Sequence, residues 1–345
     1  MTMEQTTVFQ YQAHTRKKVV IMLAGLFLCV ISLLLDVMTG SSQLSLGEVV
    51  RTILRPNDAE KIAKVIVWDM RLPVALMGIV VGAALGLSGA AMQTILNNPL
   101  ASPYTLGLSA GAGFGASVAL ILGLGEAILF SNIIVPFCAF IFSLLACMGI
   151  YFISKLKRFT SSIMVLSGIG MVFFFEAGQS FLQYLATPEE LTSLIFWTFG
   201  SLTKANWTNL GVLVVVFIPV FLFIFSKSWM LTAMSMGDER AKSMGINIER
   251  LRMQMFLVIS LLTATAVAFV GSIGFVGIVG PHVARILLGE DQRFFLPMSA
   301  ICGAAILSAA SLASKVIVPG AIFPIGILTS LIGVPVFFAL IIKKR

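Results

Sequence analysis

Residues 72–125 read LPVALMGIVVGAALGLSGAAMQTILNNPLASPYTLGLSAGAGFGASVALILGLG, without a single Asp, Glu, Lys or Arg. A membrane-spanning helix needs about 20 apolar residues, so this stretch is too long for one helix and long enough for two. Asn97-Asn98-Pro99 and Ser102-Pro103 interrupt it, and proline lacks the backbone donor and disfavours helix in the residue before it. The stretch therefore predicts two membrane-spanning helices, near 72–96 and 104–122, with a break between them.

The composition of the whole chain indicates a membrane protein. Of its 345 residues, 58% are hydrophobic and 11% are charged, and the mean hydropathy is +1.02. A soluble protein carries roughly 25% charged residues, so this chain cannot cover a water-facing surface. That excludes a soluble enzyme, a disordered chain and a nucleic-acid-binding protein. The net charge of +8 is spread in short bursts between apolar runs, as in a polytopic membrane protein.

Further uncharged runs follow at 127–154, 253–284 and 316–342. Lipid offers the backbone no hydrogen bonds, so such runs predict helices, and the short alternating segments of a β-barrel are absent. We predict an all-α polytopic fold with ten spans, near 19–38, 72–96, 104–122, 131–153, 161–184, 207–226, 253–271, 276–289, 294–314 and 325–342.

Ten spans place both termini on the same side of the membrane. About two thirds of the 23 Lys and Arg residues fall in segments that a cytoplasmic N-terminus places inside, which favours that orientation. We predict a cytoplasmic tail over 1–18 and a single transmembrane domain over 19–345. The polar segment 39–71 is predicted to hold a short interfacial helix around Leu46-Gly47-Glu48-Val49-Val50.

Residues suited to catalysis are scarce. The run 107–111 matches the G-x-S-x-G nucleophile pattern around Ser109, but His14 and His282 are the only histidines that could serve as a base. Glycines also recur every fourth residue, at 107, 111 and 115 and at 78, 82 and 86, and this spacing allows helix backbones to approach closely. We favour close helix packing over a nucleophilic Ser109.

The sequence also indicates no cofactor held by this chain. It lacks the G-x-x-x-x-G-K-[ST] loop that cradles ATP phosphates, so any ATP dependence must come from a partner. No CxxC motif or Cys/His cluster suggests a metal site. The four cysteines all fall inside apolar runs and are predicted to be small buried hydrophobes: Cys29, Cys138, Cys147 and Cys302.

The segment 227–252 is the longest polar inner segment after the tail. Within it, Gly237 and Gly245 bracket about two helical turns, and Ala241 and Met244 lie three residues apart, on one helical face. A short helix lying under the membrane would present that face to a cytoplasmic partner. The alternative is an ordinary solvated loop.

A second apolar run is interrupted by glycines at 271, 274, 277 and 280, followed by Pro281. Together with the break at Asn97-Asn98-Pro99, this gives broken helices in both halves of the chain. Broken helices at corresponding places in two halves are typical of a transport path built from repeats.

One acid, Glu176, lies well inside the fifth predicted span, where a charge is costly and usually faces a cavity or a partner. Gln179, Ser180 and Gln183 follow at three, four and seven residues and share its helical face. This polar stripe predicts the wall of a hydrophilic pathway. Hydrogen bonding between helices is the alternative.

In combination, these residues resemble the FecCD-type permeases of bacterial ABC importers for iron-siderophores, haem and cobalamin. The resemblance covers roughly residues 20–345. It rests on an ordered series of motifs: Arg71-Leu72-Pro73, Gly82-Ala83-Ala84-Leu85-Gly86-Leu87-Ser88-Gly89, Asn98-Pro99-Leu100-Ala101, Leu106-Gly107-Leu108-Ser109-Ala110-Gly111-Ala112-Gly113, the loop from Gly237 to Gly245, Gly274-Phe275-Val276-Gly277, Gly280-Pro281-His282, Phe323-Pro324-Ile325-Gly326 and Gly333-Val334-Pro335-Val336-Phe337.

The resemblance implies a type II importer permease fold, like that of the cobalamin importer, in the bacterial cytoplasmic membrane. It implies a pair of permease subunits, either two copies of this chain or this chain with a paralogue. Two cytoplasmic ATPase subunits would hold ATP and Mg²⁺, and a periplasmic or lipid-anchored binding protein would deliver the ligand. This chain would do no covalent chemistry and would bind no nucleic acid.

The resemblance also implies roles for single residues. Arg71 and Lys315 would contact acidic residues of the binding protein, although Val74 stands where the family often has a second basic residue. His282 would be structural. The segment docking in the ATPase would comprise Gly237, Asp238, Glu239, Arg240, Ala241, Met244 and Gly245. The cytoplasmic gate would comprise Asn98, Pro99, Leu100, Ser161 and Ser162.

These implications make the chain the membrane-spanning subunit of an ATP-driven importer of an iron(III)-siderophore. Haem and cobalamin are alternatives within the same family. Two other classes stay open at this point. One is a proton-coupled secondary transporter that uses Glu176, and the other is an intramembrane protease that uses Ser109.

Overall fold

The computed structural model describes residues 3–40, 42, 44–124, 131–317 and 322–343, and every regular element in this part is helical. The first two residues of the predicted tail over 1–18, and residues 344–345, lie outside the described residues. The helices are α1 Met3–Met38, α2 Leu46–Leu54, α3 Lys61–Lys64, α4 Leu72–Leu96, α5 Leu108–Ile121, α6 Ser131–Leu156, α7 Ser161–Leu185, α8 Pro188–Thr198, α9 Trp207–Ser226, α10 Ser228–Ser235, α11 Asp238–Ser243, α12 Ile248–Val270, α13 Val276–Leu288, α14 Gln292–Val316 and α15 Ile325–Lys343. A π-helical segment, Val65–Arg71, joins α3 to α4.

Seven of the described helices are long and apolar enough to cross a membrane, and three shorter apolar helices accompany them. The shorter ones are α5, α13 and the part of α15 over Ile325–Phe338. These ten confirm the predicted all-α polytopic fold. The first helix differs from the prediction at its start, because α1 begins at Met3 and continues through the predicted tail into the span His14–Met38.

Two short helices lie outside the spans. The predicted interfacial helix is α2, which begins with a capping box between Ser45 and Glu48. Hydrogen bonds from the backbone and hydroxyl of Ser45 hold the pKa of the Glu48 carboxyl below its usual value. The other helix, α8, was not predicted, although Thr187 and Glu190 form the same kind of box at its start.

The helix α4 is the centre of the fold. It packs against α14, α13, α12 and α9, and most of its residues are buried. A Cβ atom at Gly82 would overlap the carbonyl of Gly303, and one at Gly86 would overlap the carbonyl of Ser299. The glycine spacing of four residues therefore serves the close approach of α4 to α14, as predicted.

Glycines also set the packing of α5. A Cβ atom at Gly111 would lie 2.7 Å from the carbonyl oxygen of Phe142, and one at Gly115 would overlap the carbonyl of Cys138. Both carbonyls belong to α6. The G-x-S-x-G match around Ser109 therefore lies in a helix whose glycines are needed for packing.

Candidate functional site

The two broken helices meet each other. The chain leaves the helix after α4 over residues 97–107 and after α12 over residues 271–275, and then begins the short helices α5 and α13. The hydroxyls of Ser109, in the first turn of α5, and Ser272, before α13, are 2.8 Å apart and hydrogen-bonded. The predicted breaks in the two halves are thus brought to one place.

The second break falls between the predicted spans 253–271 and 276–289, because α12 ends at Val270 and α13 begins at Val276. Pro281 lies inside α13 and does not end it, and His282 follows in the same helix. The interruption falls upstream, where Gly271 has φ +75° and Phe275 has φ +64°. Both residues adopt the left-handed region of φ, which ends α12 and begins α13 without a continuous helix.

A polar cleft opens beside this junction. One cavity of about 590 Å³ is lined by α5 and α7, and a second of about 500 Å³ is lined by α15. The two share Tyr104, Thr198 and Ser272, and together we call them the polar cleft. Within the described chain, Lys, Arg, His and Asp are missing from the lining of both cavities.

The predicted polar stripe of α7 forms one wall of the cleft. Glu176, Gln179, Ser180 and Gln183 all line the first cavity, so the structure brings these four residues together. None of their side chains hydrogen-bonds to another helix in the described part of the chain, and the Glu176 side chain is exposed. The polar stripe of α7 therefore forms a wall of the first cavity and faces its open space.

The polar segment 227–252 forms the short helix α11 between Gly237 and Gly245. Gly237 has φ +104° and Gly245 has φ +80°, so both need the backbone freedom of glycine. The prediction that Ala241 and Met244 share an exposed face is wrong. Ala241 is fully buried, whereas Met244 is 60% exposed. The other exposed side chains between the two glycines are Glu239, Arg240, Lys242 and Ser243.

One residue of this region, Arg252, is not singled out by any sequence pattern. Arg252 lies in the second turn of α12, and 2% of its surface is exposed. Its Nη2 donates to both carboxylate oxygens of Asp238 at 3.0 Å. Its Nε donates to the Ile95 carbonyl at 2.7 Å, and its Nη1 donates to the Phe159 carbonyl at 2.8 Å.

The partners of Arg252 lie next to the predicted gate residues. Ile95 is in the last turn of α4, just before Asn98, Pro99 and Leu100, and the Asn98 side chain accepts a bond from the Leu100 amide at 3.0 Å. Phe159 has φ +46° and lies just before Ser161 and Ser162, which begin α7. Arg252 therefore holds α11 and both predicted gate segments at one point.

At the other end of the molecule, Arg71 does not face outward. It is 9% exposed. Its Nη1 donates to the carbonyls of Val37 and Met38 at 3.0 Å, and its Nη2 donates to the carbonyl and hydroxyl of Ser42 at 2.7 and 2.8 Å. A carboxylate of a docking protein would have to displace these bonds. The geometry makes Arg71 a clamp on the end of α1 and does not fit the predicted contact.

Lys315 is held in the same way. Its Nζ lies 3.0 Å from the carboxylate of Asp36 and donates to the Asp36 carbonyl at 2.8 Å. Asp36 is fully buried, and the Ser311 hydroxyl lies 3.1 Å from both of its carboxylate oxygens. Both cations predicted to dock a partner are therefore bound to the last turn of α1, and Asp36 is a partner that the sequence analysis missed.

In the described part of the chain, ten apolar helices with two breaks beside a polar cleft, and a short helix between two glycines, are typical of a membrane transport permease. The comparisons with known proteins give the particular family. The FecCD transport family matches residues 28–343, and the chain belongs to that family.

Named relatives span nearly the whole chain. A putative ABC transporter permease of Methanocaldococcus jannaschii is 38% identical over 341 residues, which cover 97% of each chain. An Fe(3+)-citrate import system permease of Bacillus subtilis is 34% identical and covers 95% of this chain and 97% of its own. Permeases that are 32% to 33% identical are named for hemin in Yersinia pestis, vitamin B12 in Vibrio cholerae and molybdate in Haemophilus influenzae.

A solved structure agrees with the fold. The inward-facing conformation of a putative metal-chelate type ABC transporter superposes with a TM-score of 0.82 at 30% identity, over 94% of this chain and 99% of that one. This chain is therefore a permease subunit of an ABC importer, as the resemblance implied. The relatives are transport permeases with different cargoes, so their names do not fix the cargo of this chain.

Proposed function

We propose that this chain carries an iron(III)-siderophore across the cytoplasmic membrane. The observation that supports it best is the polar cleft at the junction of two broken helices. Such a cleft has room for part of a chelate and offers hydroxyl and amide groups to it. The Fe(3+)-citrate permease, 34% identical, supports a non-haem iron chelate as the cargo, whereas the hemin and vitamin B12 permeases are 33% and 32% identical.

In this proposal, residues 19–345 form one permease domain that pairs with a second permease subunit. Both termini are cytoplasmic. Two ATPase subunits, which carry the ATP and Mg²⁺, dock against α11 through Glu239, Arg240, Lys242 and Met244. A binding protein delivers the chelate from outside, and this chain does no covalent chemistry.

Transport would follow from two alternative packings of the permease pair, inward-open and outward-open. ATP binding and hydrolysis in the partner would favour one packing and then the other. Asn98, Pro99 and Leu100 on one side, and Ser161 and Ser162 on the other, would form the cytoplasmic gate.

A second candidate function is proton-coupled transport without an ATPase. It is favoured by one observation: the Glu176 side chain lines the polar cleft and has no ion-pair partner within the described chain. An unpaired acid beside a transport path is a common proton site. The comparisons weigh against this candidate, because the relatives are ABC permeases.

The test is ATPase activity that depends on ligand in reconstituted membranes. This chain would be co-expressed with its ATPase and, if one is encoded nearby, with a paralogous permease. The binding protein would be loaded in turn with a ferric siderophore, haem or cobalamin. Stimulation by the siderophore-loaded form alone supports the proposal. Stimulation by the haem-loaded or cobalamin-loaded form alone would identify that ligand as the cargo. If the chain does not associate with the ATPase, the importer proposal is overturned.

A further inference from the structure

The charge of the polar cleft restricts the cargo, provided that the proposed function holds. Within the described chain, Glu176 is the one charged residue that lines either cavity. The rest of the polar lining consists of neutral donors and acceptors such as Ser109, Gln179, Thr198 and Ser272. In these two cavities, a cargo meets one acidic side chain and no basic side chain from the described chain.

We infer that the polar cleft admits an iron chelate of neutral or positive net charge and disfavours a polyanionic one. Three hydroxamates neutralise iron(III), whereas three catecholates leave a trianionic complex. Inside a membrane protein the attraction or repulsion between charges is screened less than in water, so a trianionic chelate beside Glu176 is strongly disfavoured. Hydroxamate-type chelates fit this cleft, since its hydroxyls and amides can hydrogen-bond to their oxygens.

The experiment is equilibrium dialysis of radioactive iron chelates against the complete permease–ATPase complex, without the binding protein, so that only the permease selects. A neutral trihydroxamate, a cationic trihydroxamate and a trianionic tricatecholate are the probes. We expect the wild-type complex to retain the trihydroxamates on the order of tenfold better than the tricatecholate. Glu176→Gln should remove most of that difference.

The matched control is Glu189→Gln, which removes an exposed acid of α8 outside the cleft and should leave the ratio unchanged. Equal or better retention of the tricatecholate by the wild type would overturn the inference, as would no effect of Glu176→Gln or no retention of any probe. The proposed function fails separately, through the absence of ligand-stimulated ATPase activity.

A second inference follows from Arg252 and is independent of the cleft. Its guanidinium joins the first residue of α11, Asp238, to the carbonyls of Ile95 and Phe159. Arginine suits this position, because its rigid fork can donate in several directions at once. The three bonded groups belong to different elements. Asp238 begins α11, Ile95 lies in the last turn of α4, and Phe159 precedes α7.

The geometry points to Arg252 as a positioning residue that transmits the movement of α11 to the gate segments. If α11 docks in the ATPase, as proposed, a displacement of Asp238 also displaces the Arg252 guanidinium that is bonded to it. The guanidinium is bonded directly to the carbonyls of Ile95 and Phe159, so its movement is passed to the end of α4 and the start of α7. Within the described chain, Asp238 is the one acid that forms an ion pair with the buried Arg252 guanidinium.

The test uses Arg252→Lys and Asp238→Asn in the full transporter and measures ligand transported per ATP hydrolysed. We expect that ratio to fall at least about fivefold in both variants, and ligand-stimulated ATPase activity to stay within about twofold of the wild type in Arg252→Lys. Asp238→Glu, which keeps the charge, should restore part of the ratio. Arg250→Gln is the matched control, because Arg250 is exposed on the same helix.

A structural role alone would lower transport and ATPase activity together. Proportional loss of both in Asp238→Asn, or no change in the ratio, would therefore overturn the inference. If Arg252→Lys does not assemble, Asp238→Asn decides, because that side chain is partly exposed and its loss leaves the backbone carbonyl bonds of Arg252 intact.

Discussion

At the residue scale, the two cations predicted to dock a binding protein, Arg71 and Lys315, anchor the end of α1. Arg71 binds the carbonyls of Val37 and Met38 at the end of α1, and Lys315 binds Asp36 in the same turn. A motif in the sequence indicates which residue type is present. It does not indicate whether a guanidinium turns outward or toward the end of another helix.

The ion pair between Asp36 and Lys315 gives a direct prediction. Asp36→Asn leaves a largely buried ammonium without its counter-charge, and breaking one side of a buried pair costs about 3–5 kcal/mol. We expect a clear fall in the Tm of the detergent-solubilised protein. Asp58→Asn removes an exposed acid of the outer segment and is the control. An equal Tm in both variants would show that the pair is not needed for stability.

The second prediction at this scale separates the two transport classes. In an ATP-driven importer Glu176 is a lining residue and not a proton carrier, so Glu176→Gln should keep ATP-driven uptake of a neutral chelate within about threefold of the wild type. Uptake into proteoliposomes measures it. Complete loss of uptake, with the complex still assembled, would favour the proton-coupled candidate.

At the scale of elements, the glycine contact between α4 and α14 fixes the core. Gly86→Ala places a methyl group against the Ser299 carbonyl, and overpacking of this kind costs about 1–3 kcal/mol. We expect a lower Tm and a smaller monodisperse fraction in size-exclusion chromatography. Gly211→Ala in α9 is the control, since nothing lies within 4 Å of the new methyl group. Equal behaviour of the two variants would contradict the close approach.

Sequence patterns predict the boundaries of helices less well than their existence. The second helix of the uncharged stretch was predicted from residue 104, but α5 begins at Leu108 after Gly107 with φ +86°. The absence of charge cannot place that start, because the preceding residues are also uncharged. The start of α8 could have been found, since Thr187 and Glu190 form a capping box.

At the scale of the whole molecule, the architecture followed from the sequence because lipid imposes strong constraints. Backbone groups in a bilayer must be satisfied within helices, so long uncharged runs and their breaks predict the spans. The polar stripe of Glu176 could be predicted as well, since helical periodicity places its members on one face.

The contacts that Arg252 and Asp36 make across the fold could not be predicted. Arg252 lies 157 positions from Ile95 and 93 from Phe159, and no local pattern connects residues so far apart. The same holds for Asp36 and Ser311, which are 275 positions apart. Side-chain orientation across helices is decided by three-dimensional packing, which a hydropathy pattern does not contain.

The central claim is that ATP hydrolysis in a partner drives import through this permease. Accumulation of a radioactive iron(III) trihydroxamate inside proteoliposomes tests it most directly. The vesicles would contain the permease and its ATPase, and the loaded binding protein would be added outside. The account predicts accumulation that needs ATP and the binding protein and is unaffected by collapse of the proton gradient. Accumulation driven by a proton gradient alone, without ATP, would contradict it.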